Sequence, residues 1–162
     1  MAAVTAYYDS ALWLTILANE ASAGDVLTLT EEIKTERGRI LTSILTLTEI
    51  SVRAYQNDPT RVTEGVELVS SVAAICNVSR EVALLTAQIE ARFMGTIWSD
   101  PAGSRRRRWD ALHLATAAIY GADVFYTYDR RLLSADFSSE PRIPSVLKPQ
   151  PLQGSLLSNS GS

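Results

Sequence analysis

Four acidic residues, Asp9, Glu49, Asp110 and Asp129, have the type and placement to do chemistry together. Asp9 closes the apolar, β-branched and aromatic run "AAVTAYY", and Asp129 closes "DVFYTY", so each follows a predicted strand. Glu49 falls in the first turn of a helix predicted to open at Thr46, behind the strand pattern "RILTSILT". Asp110 heads the Ala-rich amphipathic stretch "WDALHLATAAIYG", which leads into the strand before Asp129. Ligands of parallel sheets bind beyond the carboxyl ends of the strands, so the four acids are expected to converge on one edge. Each pair of carboxylates about 4 Å apart repels by roughly 4 kcal/mol at an effective dielectric near 20, so such a cluster calls for protons or a cation. Oxygen-only donors suit the hard ions Mg²⁺ and Mn²⁺, which also bridge phosphate oxygens and activate water.

Each acid also has an ordinary structural reading. Asp9 can cap a helix beginning at Ser10 or Ala11, and Asp129 can cap "RRLLSA". Glu49 can complete a capping box with Thr46, and Asp110 can favour a helix N-terminus electrostatically. Their joint position favours the metal site. In that reading Asp9 and Asp110 are the first-choice ligands, Asp129 completes the coordination directly or through water, and Glu49 holds a water or acts as general base. His113, one turn beyond Asp110, is read as a hydrogen-bonded packing histidine, and Trp98 and Trp109 as core aromatics.

The elements that must position these acids alternate. After the first strand and helix, Thr28 and Glu31 match a capping box for a charged helix running to about Arg37 and ended by Gly38. Beyond the break at Asn57, Asp58 and Pro59, Val62, Val66, Val69 and Val72 recur at helical spacing before the short strand candidate "AAICNV". Ser79 can cap a helix carrying Val82, Leu85, Ile89 and Phe93, and Asp100, Pro101, Gly103 and Ser104 suggest a loop. A strand from about Asp123 to Tyr128 and a last one at "IPSVL" complete the pattern. Alternating strands and helices imply a parallel sheet covered on both faces, an α/β three-layer α/β/α sandwich. One domain is expected over residues 1–147, with a disordered polar tail over residues 148–162.

Composition excludes several classes. With one cysteine, Cys76, and one histidine, neither an intramolecular disulfide nor a Cys/His zinc site can be built. No phosphate-binding glycine loop is present, and a lone histidine with no nucleophile elbow argues against a serine or cysteine triad. No apolar stretch is long enough to span a bilayer, which places the expectation in the cytoplasm with no membrane partner. A net charge of −3 attracts no polyanion overall, so a nucleic acid must be drawn by a bound cation or by a local patch. The one dense patch is Arg105, Arg106, Arg107 and Arg108, which can contact phosphates or simply form a solvated run.

The blocks "YYDSALWLTIL", "LTLTEI" and "WDALHLATAAIYGADVFYTYDRRLL" resemble, in order, the motif blocks of PIN-domain nucleases, in particular VapC-like toxin ribonucleases. The likeness runs from about Ala2 to Leu147 and is most specific in "DALHLATA" followed by "TYD". It implies a PIN-like fold and hydrolysis of single-stranded RNA, with one or two Mg²⁺ or Mn²⁺ ions held by Asp9, Glu49, Asp110 and Asp129. It implies an accessory role for Thr127, products with 5′-phosphate and 3′-hydroxyl ends, a homodimer, and an antitoxin protein that covers the acidic pocket. The insertion "SDPAGSRRRRW" and the polar tail depart from a minimal toxin and leave the RNA target open. A non-toxin RNA-processing or mobile-element nuclease is the alternative within the same chemistry. A catalytically silent RNA-binding or scaffold module is the alternative outside it.

Overall fold

The computed structural model describes residues 3–98 and 104–152, the side chains of 104–107 excepted. Its centre is β1 (Thr5–Tyr8), four residues with every side chain buried. Such a run is stable only inside a sheet covered on both faces. β2 (Arg39–Ser43) and β4 (Val124–Tyr126) flank it, and β3 (Ala74–Cys76) and β5 (Ser145–Leu147) form the edges in the order β3-β2-β1-β4-β5. All four pairings are parallel, with Tyr7 opposite both Leu41 and Phe125.

Side chains alternate strictly across this sheet. Tyr7, Leu41 and Phe125 enter one core with α5 (Arg80–Phe93) and α6 (Ser104–Ile119). Ala6, Tyr8, Ile40, Val124 and Tyr126 enter the other with α1 (Ser10–Leu17), α2 (Ala23–Thr35), α3 (Ile44–Asn57) and α4 (Val62–Val72). The protein is therefore a three-layer α/β/α sandwich on a five-stranded parallel sheet, as the alternation of patterns predicts. α7 (Arg130–Leu133) is a single turn behind β4. Among the described residues no helix is long and apolar enough to cross a membrane.

Several helix starts differ from the sequence reading. α2 begins at Ala23 rather than Thr28, because Val26, Leu29 and Ile33 must all reach the core, and that burial outweighs the local capping signal. α3 begins at Ile44 with the Ser43 hydroxyl accepting from the Leu45 amide (3.2 Å), so Thr46 is not a cap. The Thr46 hydroxyl is buried against that of Thr42 at 2.8 Å, and Glu49 lies in the second turn. α6 starts at Ser104, so the arginines are helical and Asp110 lies well inside the helix instead of at its head. Arginine is a good helix former, and that propensity carries the helix back through the run.

The ends of two helices fix the strands that follow. Arg37 takes the left-handed turn after α2 (φ 59°), and Gly38 is required next because a Cβ there would meet the Val4 carbonyl at 2.6 Å. Gly121 (φ 71°) ends α6, with the Ala122 amide donating back to the Ala117 carbonyl at 2.9 Å. Beyond β5, Pro149 is buried and Leu152 packs on the α2 side of the sheet, so residues 148–152 lie against the body. Residues 153–162 of the expected tail lie outside the described residues, as do residues 100–103 of the expected loop, whose last residue, Ser104, instead begins α6.

Candidate active site

Adjacent parallel strands β1 and β4 bring two sequence-distant acids to one edge. Asp9 follows β1 and caps α1, its Oδ1 accepting from the Ser10 amide at 2.7 Å. Asp129 stands two residues further along than Thr127 and caps α7, its Oδ1 accepting from the Arg131 amide at 2.9 Å. The capping reading and the site reading are thus compatible, since a cap uses one carboxylate oxygen. Thr127 joins the two acids: its hydroxyl donates to Asp9 Oδ2 at 2.8 Å and accepts from the Asp129 amide at 3.0 Å. Thr127 and Asp9 are both buried.

α6 crosses this edge and adds Asp110. Asp110 Oδ2 accepts from the Trp98 indole at 3.1 Å and from Arg131 Nη2 at 3.1 Å. The same Nη2 donates to Asp129 Oδ2 at 2.6 Å, and Arg131 Nε reaches Asp129 Oδ1 at 3.1 Å. Arg131 therefore bridges the two acids with a forked, charge-assisted contact. Burial, then the negative charges of Asp9 and Asp129, push the Asp110 carboxyl up to about 7. Burial likewise raises Asp9, against the opposing pull of His113 and the Thr127 hydroxyl. Arg131 itself is raised by its hydrogen bond to Asp129.

Glu49 enters on a separate arm. Its Oε2 lies 2.9 Å from His113 Nε2, while His113 Nδ1 lies 2.6 Å from the Tyr7 hydroxyl. Burial alone would lower His113, but the Glu49 hydrogen bond and the charges of Asp9, Glu49 and Asp110 outweigh it, leaving the imidazole above its ordinary value. The histidine is hydrogen-bonded and buried, as its sequence context suggests, but its partner is one of the four acids.

The edge thus gathers Asp9, Asp110, Asp129 and Thr127 directly and Glu49 through His113. Among the described residues no three His, Cys, Asp or Glu side chains already stand as a metal shell, which departs from the ready convergence of four carboxylates expected from sequence. The reason lies in the contacts: Arg131 takes oxygens of two acids, and His113 takes one of the third. The donor chemistry still fits a hard divalent cation. It is all oxygen, the negative charges of Asp9 and Asp129 add to burial in pushing Asp110 up to about 7, and a guanidinium already lies across two of the acids.

Three residues that position this edge carry weak signals in the sequence. Trp98 has the pattern of a core aromatic and is buried, yet its indole N–H is directed at Asp110. Arg131 has one signal, its place two residues after Asp129, from which a long side chain folds back over the capping carboxylate. His113 has another, the three-residue spacing from Asp110 on one helix face. Of the arginine run, Arg108 is exposed and pairs with Glu90 at 3.2 Å. The side chains of Arg105, Arg106 and Arg107 lie outside the described residues.

Carboxylates gathered at the carboxyl edge of a five-stranded parallel sheet, in a three-layer sandwich, define a class of acidic-site α/β domains. Within it, the family model described as the PIN domain matches residues 6–138, and the chain belongs to that family. Its fold matches a VapBC2 structure from Rickettsia felis, solved with a DNA fragment from their promoter, at TM-score 0.63 and 11% identity over 90% of this chain and 98% of that one. It also matches a toxin–antitoxin complex from Klebsiella pneumoniae (TM-score 0.59, 17% identity, 91% and 99% covered). Mycobacterium tuberculosis VapC20, a Sarcin-Ricin loop cleaving toxin, matches at TM-score 0.57 with 16% identity, over 76% and 89% of the two chains. At such identities the likeness is one of fold. No curated protein matches the chain.

Proposed function

We propose that the chain is a Mg²⁺- or Mn²⁺-dependent endoribonuclease that hydrolyses RNA phosphodiester bonds as the toxin of a toxin–antitoxin pair. The observation that supports this most is the run of contacts Asp9, Thr127, Asp129, Arg131, Asp110 across the ends of β1 and β4. A PIN domain with the fold of VapC-type proteins supports the nuclease class. Asp9, Asp110 and Asp129 would hold the ion. Bound there, a divalent cation supplies charge neutralisation at the phosphate and a lowered pKa for the attacking water. Thr127 fixes the rotamer of Asp9, Trp98 that of Asp110, and His113 holds Glu49 Oε2 so that Oε1 can take the proton of the water. An antitoxin partner, a homodimeric state and a cytoplasmic location follow from the same reading.

The test is cleavage of a single-stranded RNA by the full chain with Mg²⁺ or Mn²⁺, with EDTA, and by Asp110→Asn. Cleavage that needs the metal and is abolished in the variant is expected, whereas full activity in excess EDTA would defeat the mechanism. The silent RNA-binding or scaffold reading is favoured by one observation, the Arg131 guanidinium lying across Asp110 and Asp129. Calorimetric titration with Mn²⁺ separates the two, since the silent module binds no ion at millimolar concentration.

A further inference from the structure

Arg131 makes four hydrogen bonds to this edge, one from its backbone amide and three from its side chain, spanning both oxygens of Asp129 and one of Asp110. The lone pairs that the guanidinium uses are among those a cation at this edge would take, so the two compete for the same oxygens. Its hold is nonetheless releasable. The Arg131 side chain is 39% exposed, against 15% and 14% for the acids it bridges, and it springs from a single helical turn. Beside it lies a cavity of about 540 Å³ that Arg131 itself lines, together with Arg92, Thr96, Ser134, Asp136 and Ser139. Asp136 offers a second carboxylate there, kept ionised by hydrogen bonds from Ser138. Arg92, the competing cation in that cavity, is engaged by the Ser139 carbonyl and by Glu140.

We propose that Arg131 is the chain's built-in occupant of the cation position, so that a divalent ion binds only as the guanidinium swings out into the cavity beside Asp136. This rests on the metal reading above and adds the coupling to it. Arg131 then holds the acidic edge together without metal and sets the concentration at which metal replaces it. An Arg side chain that served only as a local staple for α7 would have no such coupling.

The experiment compares wild type with Arg131→Gln and Arg131→Lys, each as the full chain, by Mn²⁺ titration calorimetry and by thermal unfolding with EDTA or Mn²⁺. Removing the charge-assisted hydrogen bonds that metal must break should tighten Mn²⁺ binding by roughly ten- to a hundredfold in R131Q, with R131K between it and wild type. R131Q should melt below wild type in EDTA and recover more on adding Mn²⁺, a crossing that a purely structural role does not produce. If R131Q does not fold, R131K alone carries the comparison. Wild-type binding with an unchanged or weaker Kd in the variants overturns the coupling and leaves the metal reading standing. No Mn²⁺ binding by any of the three proteins overturns both.

Discussion

On one flank of the acidic edge Glu49 meets His113 and, behind it, Tyr7; on the other, Asp110 and Asp129 meet Arg131. The first flank is closed. His113 and Tyr7 are fully buried, and each imidazole nitrogen has a fixed partner within 3 Å. The second is open. Its cation is partly exposed, stands on a four-residue helix and faces a cavity. Both flanks manage the charge of partly buried carboxylates, one with a group that can give up its proton in place and the other with a permanent charge on a long, partly exposed stem. The closed flank suits orientation of a single acid, and the open flank suits exchange of one cation for another.

Asp110→Asn should have the largest effect on the open flank, because it removes a carboxylate charge while nearly keeping its volume. Cleavage of RNA should fall by at least roughly a hundred- to a thousandfold, the usual cost of deleting one preorganised electrostatic group. Glu49→Gln should cost less, because it removes the proton acceptor but leaves in place the three aspartates that would hold the ion. Equal reductions for the two changes in a single-turnover assay would erase the distinction between the flanks.

Stability against pH separates the flanks next. A carboxyl raised to about 7 binds its proton more tightly folded than unfolded, so its contribution is complete below about pH 4 and is lost as pH rises toward 7. In metal-free buffer this should cost on the order of a few kcal/mol between pH 4 and 7, and Asp110→Asn should remove that decline. His113, also raised, acts in a higher window: its contribution is present below its ordinary value of about 6.5 and fades as pH climbs through its folded value. Denaturant unfolding of Asp110→Asn and His113→Gln across pH 4 to 9 should therefore flatten different parts of the curve. If His113→Gln flattened the acidic part, the two flanks would be one coupled network.

Added Mn²⁺ or Mg²⁺ should stabilise wild type by about 2.7 kcal/mol at a hundredfold excess over Kd, a rise in Tm of roughly 5–10 °C for a chain of this size. Zn²⁺ should substitute poorly, since the donors are oxygens. A rise in Tm that persisted undiminished in a combined Asp110→Asn, Asp129→Asn variant would place the ion elsewhere.

The layer architecture and the strands that carry Asp9 and Asp129 were legible because alternation and apolar runs are written locally. Helix starts were less so, since Thr28 and Thr46 carry capping chemistry that the core overrode in favour of Val26 and of the Thr42–Thr46 hydrogen bond. Of the acids, Asp9 and Asp129 could be found as strand-end carboxylates, whereas Asp110 and Glu49 lie inside helices. Their partners could not, because Trp98, His113 and Arg131 gain their roles only when α6 is laid across the sheet. An ion pair such as Arg131 with Asp110 joins residues far apart in the chain and has no periodicity to betray it.

The arginine run should matter least, and it decides whether the open flank extends along α6. Arg105 to Arg108 occupy the first turns of the helix that carries Asp110, the one dense positive run in a chain of net charge −3. If they draw RNA toward the open flank, replacing Arg105, Arg106 and Arg107 by Ala should weaken binding and lower the salt slope by roughly 0.7 for each single-strand phosphate no longer neutralised. Arg108→Ala alone should do less, because that side chain is already engaged with Glu90. Affinity for a single-stranded RNA measured over a salt series, in the Asp110→Asn background to prevent turnover, reads the effect without interference from cleavage. A slope that stays at its wild-type value in the triple variant means that the run is solvated, and RNA then reaches the carboxylates without its help.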